Sequence, residues 1–351
     1  MTGPPVAILP SLDEPNTIAG VTTAVDTALD DDAALIIHAD ASPTPDTAEA
    51  FRATPTRART LCLVGLPVGK GRQVRAALGQ LDWIGQLGPV LVADTDTRNP
   101  DPATYRALLH TVTSGASMAL ADYQRYWDEA NLTNHLARPL IAAATGYDVP
   151  QPLAGDLALS PVVLLALNQH YAALPNEITR RVDGYGIDAF LLHTAASTGP
   201  VQAVRLDATK RHAPSFPHLP AIFAQAVPVL LHPATTQAPR TPPIAGFRLT
   251  DRTLPHQQRQ TMLRTLRRLR PAKNRYDRIP WAQAVAHAWH AVAGGVPAVT
   301  ATEWLWPAYL DHVHTWLTMG ASTTLAQRAG ALKASANDLL ALLTTDQETP
   351  S

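Results

Sequence analysis

Asp94 and Asp96 stand one residue apart at the end of the apolar run Pro89-Val-Leu-Val-Ala93. If that run is a strand, alternate side chains share a face and the two carboxylates project together. At the carboxyl end of a parallel strand they meet the crevice where ligands bind. Two hard oxygen ligands suit a divalent cation, and a cation there suits a diphosphate. The same residues also suit an ordinary polar turn, where Asp is common. Gly69-Lys70-Gly71 sets a cation between two residues that let backbone approach a ligand closely. It lacks the spacing of a P-loop, and it reads equally as a loop with a solvent-facing lysine. Cys62, within Leu61-Cys-Leu-Val-Gly65, reads as a buried strand residue rather than a nucleophile.

These residues need a frame. Val6–Pro10, Ala33–Ile37, Leu61–Val64 and the run before Asp94 are short apolar strands. Helical patterns fall between them, over Thr17–Leu29, around Thr47–Phe51, and near Gln73–Leu81. Strands alternating with helices at this spacing predict an α/β, doubly wound, mainly parallel sheet. A chain of 351 residues with 46% hydrophobic and 16% charged residues predicts one large or two coupled domains. The formal net charge of -1 gives no global pull toward nucleic acid or anionic membrane, so neither is an expected partner. A single cysteine excludes an internal disulfide and fits a reducing compartment. No secretory leader and no membrane-spanning run is evident, and a cytoplasmic location is expected.

The order of the motifs carries a resemblance. Pro10-Ser-Leu-Asp-Glu14 before Thr17-Ile18 resembles the Pro-x-Leu-Asn/Asp-Glu-x-x-Thr-Ile opening of GT-A fold nucleotide-sugar glycosyltransferases. Asp40-Ala-Ser-Pro-Thr44-Pro-Asp46-Thr47 is similar to a degraded form of their Asp-x-Gly-Ser-Thr-Asp-x-Thr loop. Gly69-Lys-Gly71, Asp94-Thr-Asp96 and Asn99-Pro100 follow in the order found in glucosyl-3-phosphoglycerate synthases. Leu132-Thr133 through Ala137-Arg-Pro-Leu140, Gln151-Pro-Leu-Ala-Gly-Asp156, Gly184-Tyr-Gly-Ile-Asp188 and Lys210-Arg-His212 resemble further segments of that family. The likeness spans roughly residues 6 to 230.

The resemblance implies a GT-A, Rossmann-like catalytic domain over 1–232, and a Pro-rich connector with a helical acceptor or dimerisation region over 233–351. It implies a retaining hexosyl transfer from a nucleoside-diphosphate sugar, UDP-glucose or a GDP-sugar, with Mg2+ or Mn2+ as cofactor. Asp96, Asp94 and His212 would hold the metal. Pro10, Ser11, Leu12, Glu14, Asp40, Lys70, Asp94, Thr95 and Lys210 would bind the donor. Lys70, Asp156 and Asp188 are the catalytic candidates; both aspartates stand where the family has the longer Glu. Capping a following helix is an equal reading of Asp156. Asn131, Thr133, Leu153, Ala154, Tyr185 and Ser215 would meet a small-molecule acceptor.

Two departures bear on that acceptor. Relatives that use phosphoglycerate carry an arginine where this chain has Asn131, and Arg-Asn-Arg where it has Ala213-Pro-Ser215. Arginine is the usual means of bidentate phosphate recognition. A neutral hydroxyl acceptor, such as a sugar, polyol, nucleoside or natural product, is therefore expected. In the last third, Arg259, Arg264, Arg267, Arg268, Arg270, Lys273 and Arg275 read as a solvated helix face. Trp281, Trp289, Trp304, Trp306 and Trp316 read as core or as contacts of an expected homodimer. His312 and His314, two apart, fall on different helix faces and do not read as a metal pair. A non-catalytic nucleotide-sugar-binding module and a sugar nucleotidyltransferase are the competing readings, although the latter needs a Gly-rich loop that Pro10–Glu14 does not offer.

Overall fold

The computed structural model describes residues 3–84, 88–207, 209–212, 214–235, 243–250, 252–271 and 274–344. It divides into two compact units that interleave along the chain: 1–123 with 153–215, and 124–152 with 216–351. The single boundary expected at residue 232 is thus replaced by a chain that leaves the first unit at Gln124, returns at Leu153 and leaves again at Phe216.

The first unit is built from β1 (Val6–Ser11), α1 (Ile18–Leu29), β2 (Leu35–Asp40), α2 (Asp46–Arg52), β3 (Arg59–Leu63), α3 (Lys70–Ile84), β4 (Val90–Val92), α4 (Pro102–Thr113) and β5 (Met118–Asp122). The second unit intervenes with β6 (Arg125–Tyr126), a π-helical turn (Thr133–Ala137) and α5 (Arg138–Thr145). The first resumes with β7 (Leu157–Leu159), α6 (Pro161–Ala172), α7 (Asn176–Val182), α8 (Ile187–Thr198) and β8 (Val201–Arg205). The second ends with α9 (Leu219–Leu231), β9 (Leu249–Thr250), α10 (His256–Leu269), α11 (Trp281–Ala293), α12 (Ala298–Met319) and α13 (Leu325–Thr344).

The seven-stranded sheet runs β3-β2-β1-β4-β7-β5-β8, with β7 alone antiparallel to its neighbours. β1, β2 and β4 are buried along their whole length, which is why they read as continuous apolar runs rather than alternating ones. Val21 and Val25 of α1 and Leu108 of α4 join Ala7, Leu9 and Leu91 of the strands in one core. Asp101 caps α4 by accepting the Ala103 N–H at 2.9 Å, with Pro102 opening the helix. The predicted α/β sheet with flanking helices and a C-terminal helical region is observed.

In the second unit the buried Arg138 organises the join between its two chain segments. Its Nε and Nη2 donate to Asp148 at 2.6 and 2.8 Å, and Nη1 donates to the Gly246 carbonyl at 2.6 Å. Asn337 on α13 pairs with the backbone of Ile244. The expected core role of the tryptophans holds for Trp281 and Trp289, both buried, and for Trp306, which packs with Phe223 and Tyr309. The basic face of α10 is exposed at Arg264 and Arg268, while Arg270 pairs with Asp311 of α12; Lys273 lies outside the described residues. Among the described residues no helix is long and apolar enough to cross a membrane.

Candidate active site

β4 ends at Val92, so Asp94 and Asp96 lie in the turn that follows and strand alternation does not orient them. Asp94 is instead fixed by charge. Lys70 Nζ lies 3.0 Å from its Oδ1 and Lys210 Nζ 2.8 Å from its Oδ2. Burial opposes its ionisation, but Lys210 and Lys70 outweigh that and hold Asp94 well below the usual carboxylate range. Lys70 also reaches Asp188, 3.0 Å away in the first turn of α8, and Lys210 reaches Asp156 at 2.8 Å. Asp156 is fully buried; it accepts the Asp94 N–H at 3.0 Å and the Tyr123 hydroxyl at 2.9 Å. It precedes strand β7 rather than a helix, so the capping reading is overturned.

Two glycines make this cluster sterically possible. A Cβ at Gly155 would stand 2.0 Å from Asp94 Oδ2. A Cβ at Gly71 would stand 1.8 Å from the Val182 carbonyl. Gly69 directly precedes α3, whose first residues are Lys70 and Gly71. Its backbone packs on the α7–α8 connection, with Gly71 N–H donating to Gly184 O and Arg72 N–H to Asp183 O. That contact brings Lys70 beside Asp188.

Asp96 Oδ2 lies 3.9 Å from His212 Nδ1. Asn99 sets this approach by clamping the chain before His212. Its Oδ1 accepts the Arg211 N–H at 2.7 Å and its Nδ2 donates to Thr209 O at 3.1 Å. Burial first, and the Asp94 carboxylate second, raise Asp96 to about 6; burial likewise raises Asp188 to about 6. The cluster thus joins four carboxylates, Asp94, Asp96, Asp156 and Asp188, to two ammonium groups, Lys70 and Lys210. Fully ionised, it lacks two positive charges, which one divalent cation supplies. Among the described residues no group of three or more His, Cys, Asp or Glu side chains is arranged to hold an ion alone. Asp96 and His212 offer one oxygen and one nitrogen ligand, so an ion there would take its remaining ligands from water and substrate phosphate. Asp94, expected beside the ion, has both carboxylate oxygens paired with lysines in this structure.

A cavity of about 400 Å³ opens beside Asp96, with Glu14, Thr17, Thr97 and Arg98 in its wall. Glu14 accepts the Thr17 hydroxyl at 2.8 Å, and burial raises its pKa. Ser11 and Asp40 share a hydrogen bond of 3.1 Å at the ends of β1 and β2, while Leu12 beside them is exposed. Thr95 is buried and donates to the Pro10 carbonyl at 2.8 Å, which ties the Asp turn to β1. The expected acceptor residues divide between the units. Leu153, Ala154, half-buried Tyr185 and exposed Ser215 belong to the first, and Asn131 and Thr133 to the second. Asn131 Nδ2 donates to Asp128 O at 3.2 Å and Thr133 is buried in the π-helical turn. Ala213 lies outside the described residues. Tyr123, Asn99 and Gly155 were not singled out from sequence as site builders. Asn99 and Gly155 did stand within motifs of the resemblance, Asn99-Pro100 and Gln151–Asp156, and a glycine beside a buried carboxylate permits close approach; Tyr123 carried no signal.

No protein-family model and no curated protein matches the chain. Solved structures do. Glucosyl-3-phosphoglycerate synthase from Mycobacterium tuberculosis, in complex with Mn2+, uridine diphosphate and glucosyl-3-phosphoglycerate, is 25% identical, with a TM-score of 0.52 over 66% of this chain and 80% of that chain. The complex of that synthase with phosphoglyceric acid is 25% identical, with a TM-score of 0.50 over the same shares. The chain has the fold of glucosyl-3-phosphoglycerate synthase. The resemblance carried by the motifs from Pro10 to His212 is borne out at that level.

Proposed function

We propose that this chain is a divalent-metal-dependent glycosyltransferase that moves a hexose from a UDP-sugar to a hydroxyl of a small molecule. One observation carries the reading: the carboxylate and lysine cluster around Asp94 and Asp96, on the fold of a synthase solved with Mn2+ and uridine diphosphate. Pro10, Ser11, Leu12, Glu14 and Asp40 would bind the nucleoside, and Asp96 and His212 the cation. That cation would neutralise charge on the departing diphosphate. Lys70 and Lys210 stay protonated, because the surrounding carboxylates outweigh the cost of their burial. They would add fixed positive charge that needs no reorganisation during transfer. Asp188, held by Lys70, would orient the sugar or the incoming hydroxyl, and the departing diphosphate would take the hydroxyl proton in a same-face, retaining transfer.

The acceptor is proposed to be a neutral polyhydroxyl compound, since Asn131 and Ser215 stand where phosphate-binding arginines would be needed. The solved relatives were captured with phosphoglycerate compounds, so this is a difference from them. A homodimer and a cytoplasmic location complete the proposal, the first to be read by light scattering. The decisive assay is hydrolysis of UDP-glucose with and without Mn2+. Asp96→Asn is expected to lower it at least about a hundredfold while the protein stays folded. Unchanged hydrolysis would sink the metal site, and metal-dependent binding without any turnover would favour the non-catalytic module. Robust transfer to 3-phosphoglycerate, beyond that to a panel of sugars and polyols, would overturn the acceptor assignment.

A further inference from the structure

His38 is wholly buried in a strand whose other side chains are mostly aliphatic. Its ring packs on Phe51, with centroids 4.7 Å apart. Its two nitrogens meet different partners on the two neighbouring strands: Nε2 lies 2.6 Å from Ser11 Oγ of β1, and Nδ1 lies 3.4 Å from Cys62 Sγ of β3. His38 and Cys62 are register partners, as are Ser11 and Asp40. A continuous line of polar side chains therefore crosses three strands and ends at Asp40.

Counting protons gives this line a direction. A hydroxyl carries one proton and a carboxylate only accepts. With the Ser11 hydroxyl proton directed at Asp40 Oδ1, 3.1 Å away, the Ser11 oxygen accepts from His38 in its Nε2–H tautomer. The His38 proton then sits on Nε2, and the bare Nδ1 accepts from the Cys62 S–H. Burial lowers His38 to about 4 and raises the Cys62 thiol, with Arg52 as the nearby cation in both cases. The neutral imidazole and protonated thiol that the direction requires are the forms favoured near neutral pH. Asp40 Oδ1 also receives the Ser42 N–H at 2.9 Å and the Ser42 hydroxyl at 2.5 Å. Among the described residues no donor engages Oδ2. Gln73 donates to the carbonyls of Ser11 and Ala39, which locks the backbone of both strand ends.

We propose that His38 and Cys62 are positioning residues for the nucleobase, feeding a one-way hydrogen-bond chain that saturates Asp40 Oδ1 and presents Oδ2 as an acceptor for a base with a ring N–H. Uracil and guanine carry such a group, whereas cytosine and adenine offer a bare ring nitrogen that a carboxylate repels. The base-selecting role rests on the nucleotide reading of this cleft given above; the proton chain does not.

Two measurements test it. Long-range proton–nitrogen NMR spectra of the full chain, assigned with His38→Gln, are expected to show His38 neutral with its proton on Nε2 between about pH 6 and 8. A proton on Nδ1, or an imidazolium, overturns the chain of hydrogen bonds. Calorimetric titration with UDP and CDP in the presence of Mn2+ then reads the role. His38→Phe keeps a ring against Phe51 but loses the donor, and is expected to weaken UDP binding about tenfold and erase the preference over CDP. His38→Gln, whose amide restores an N–H, is expected to stay within about twofold of wild type. Equal losses in the two variants, or unchanged UDP affinity in His38→Phe, overturn the positioning role. Should His38→Phe fail to fold, Cys62→Val removes the S–H at the far end of the same chain and is expected to weaken UDP binding in the same direction, whereas unchanged affinity overturns the positioning role. A wild-type protein that binds no nucleoside diphosphate refutes the function proposed above together with base selection, while the NMR result still decides the proton chain.

Discussion

Two buried polar clusters, one in each unit, end in opposite charge states. Around Asp94 the first unit buries charges and keeps them ionised by interleaving carboxylates with Lys70 and Lys210. The second unit buries a comparably polar set and discharges it. His135 Nδ1 and His312 Nε2 lie 2.9 Å apart, His312 stacks on Trp281 at 4.9 Å, and Trp281 Nε1 donates to His135 O. Burial holds His135 well below its ordinary pKa and lowers His312 to about 4, so both are neutral. A buried group keeps its charge where a counter-charge offsets the lost hydration, and otherwise changes protonation.

The comparison can be broken most severely at Lys210. Lys210→Met leaves Asp156 and Asp94 facing each other in the interior and is expected to cost ~3–5 kcal/mol in urea unfolding. Adding Asp156→Asn should recover part of that loss; a neutral effect of the single variant would show that the pairing is not what holds the charges. Gly155→Ala comes next. Its Cβ displaces the Asp94 carboxylate, with an expected cost of ~1–3 kcal/mol and a weaker Mn2+-dependent thermal shift on adding UDP.

The second unit responds to pH instead. With the folded His135 and His312 below the unfolded value of 6.5, the unfolded chain binds protons first on acidification. Their contribution is complete above about 6.5 and is lost as pH falls toward about 4. Between pH 7 and 5 His312→Phe should lose less stability than wild type, by on the order of 5 °C in Tm; parallel curves would refute the discharged pair. The smallest effect is expected at Asn99, where Asn99→Ala removes two hydrogen bonds to the 209–211 segment and should cost ~1 kcal/mol, with a several-fold rise in the Mn2+ concentration needed for activity.

Much of the frame was legible in the residues. Val6–Pro10, Leu35–Ile37 and Val90–Val92 are buried on both faces and therefore stand out as apolar runs. β5 and β7 did not stand out: Met118–Asp122 and Leu157–Leu159 flank the excursion of the chain into the second unit, which breaks the strand–helix alternation there. Site residues that carry a motif were named in advance, Asp94, Asp96, Lys70, Asp156, Asp188, Lys210 and His212 among them. Their pairings were not. Asp94 pairs with two lysines, and Gly71 packs against the Val182 carbonyl, contacts that no motif spells out. Asn99, Tyr123 and His38 act through partners that are distant in sequence, so nothing beside them announces the contact.

Periodicity, turn chemistry and motif order are local properties, and they determined by themselves the α/β class, the order of the nucleotide-side segments and the chemical types gathered near Asp94. Which carboxylate faces an ammonium group, which is left to a cation, and which way protons point between Cys62 and Asp40 depend on side chains brought together from separate strands and loops. Those assignments follow from burial and distance, which exist only once the sheet has closed around them.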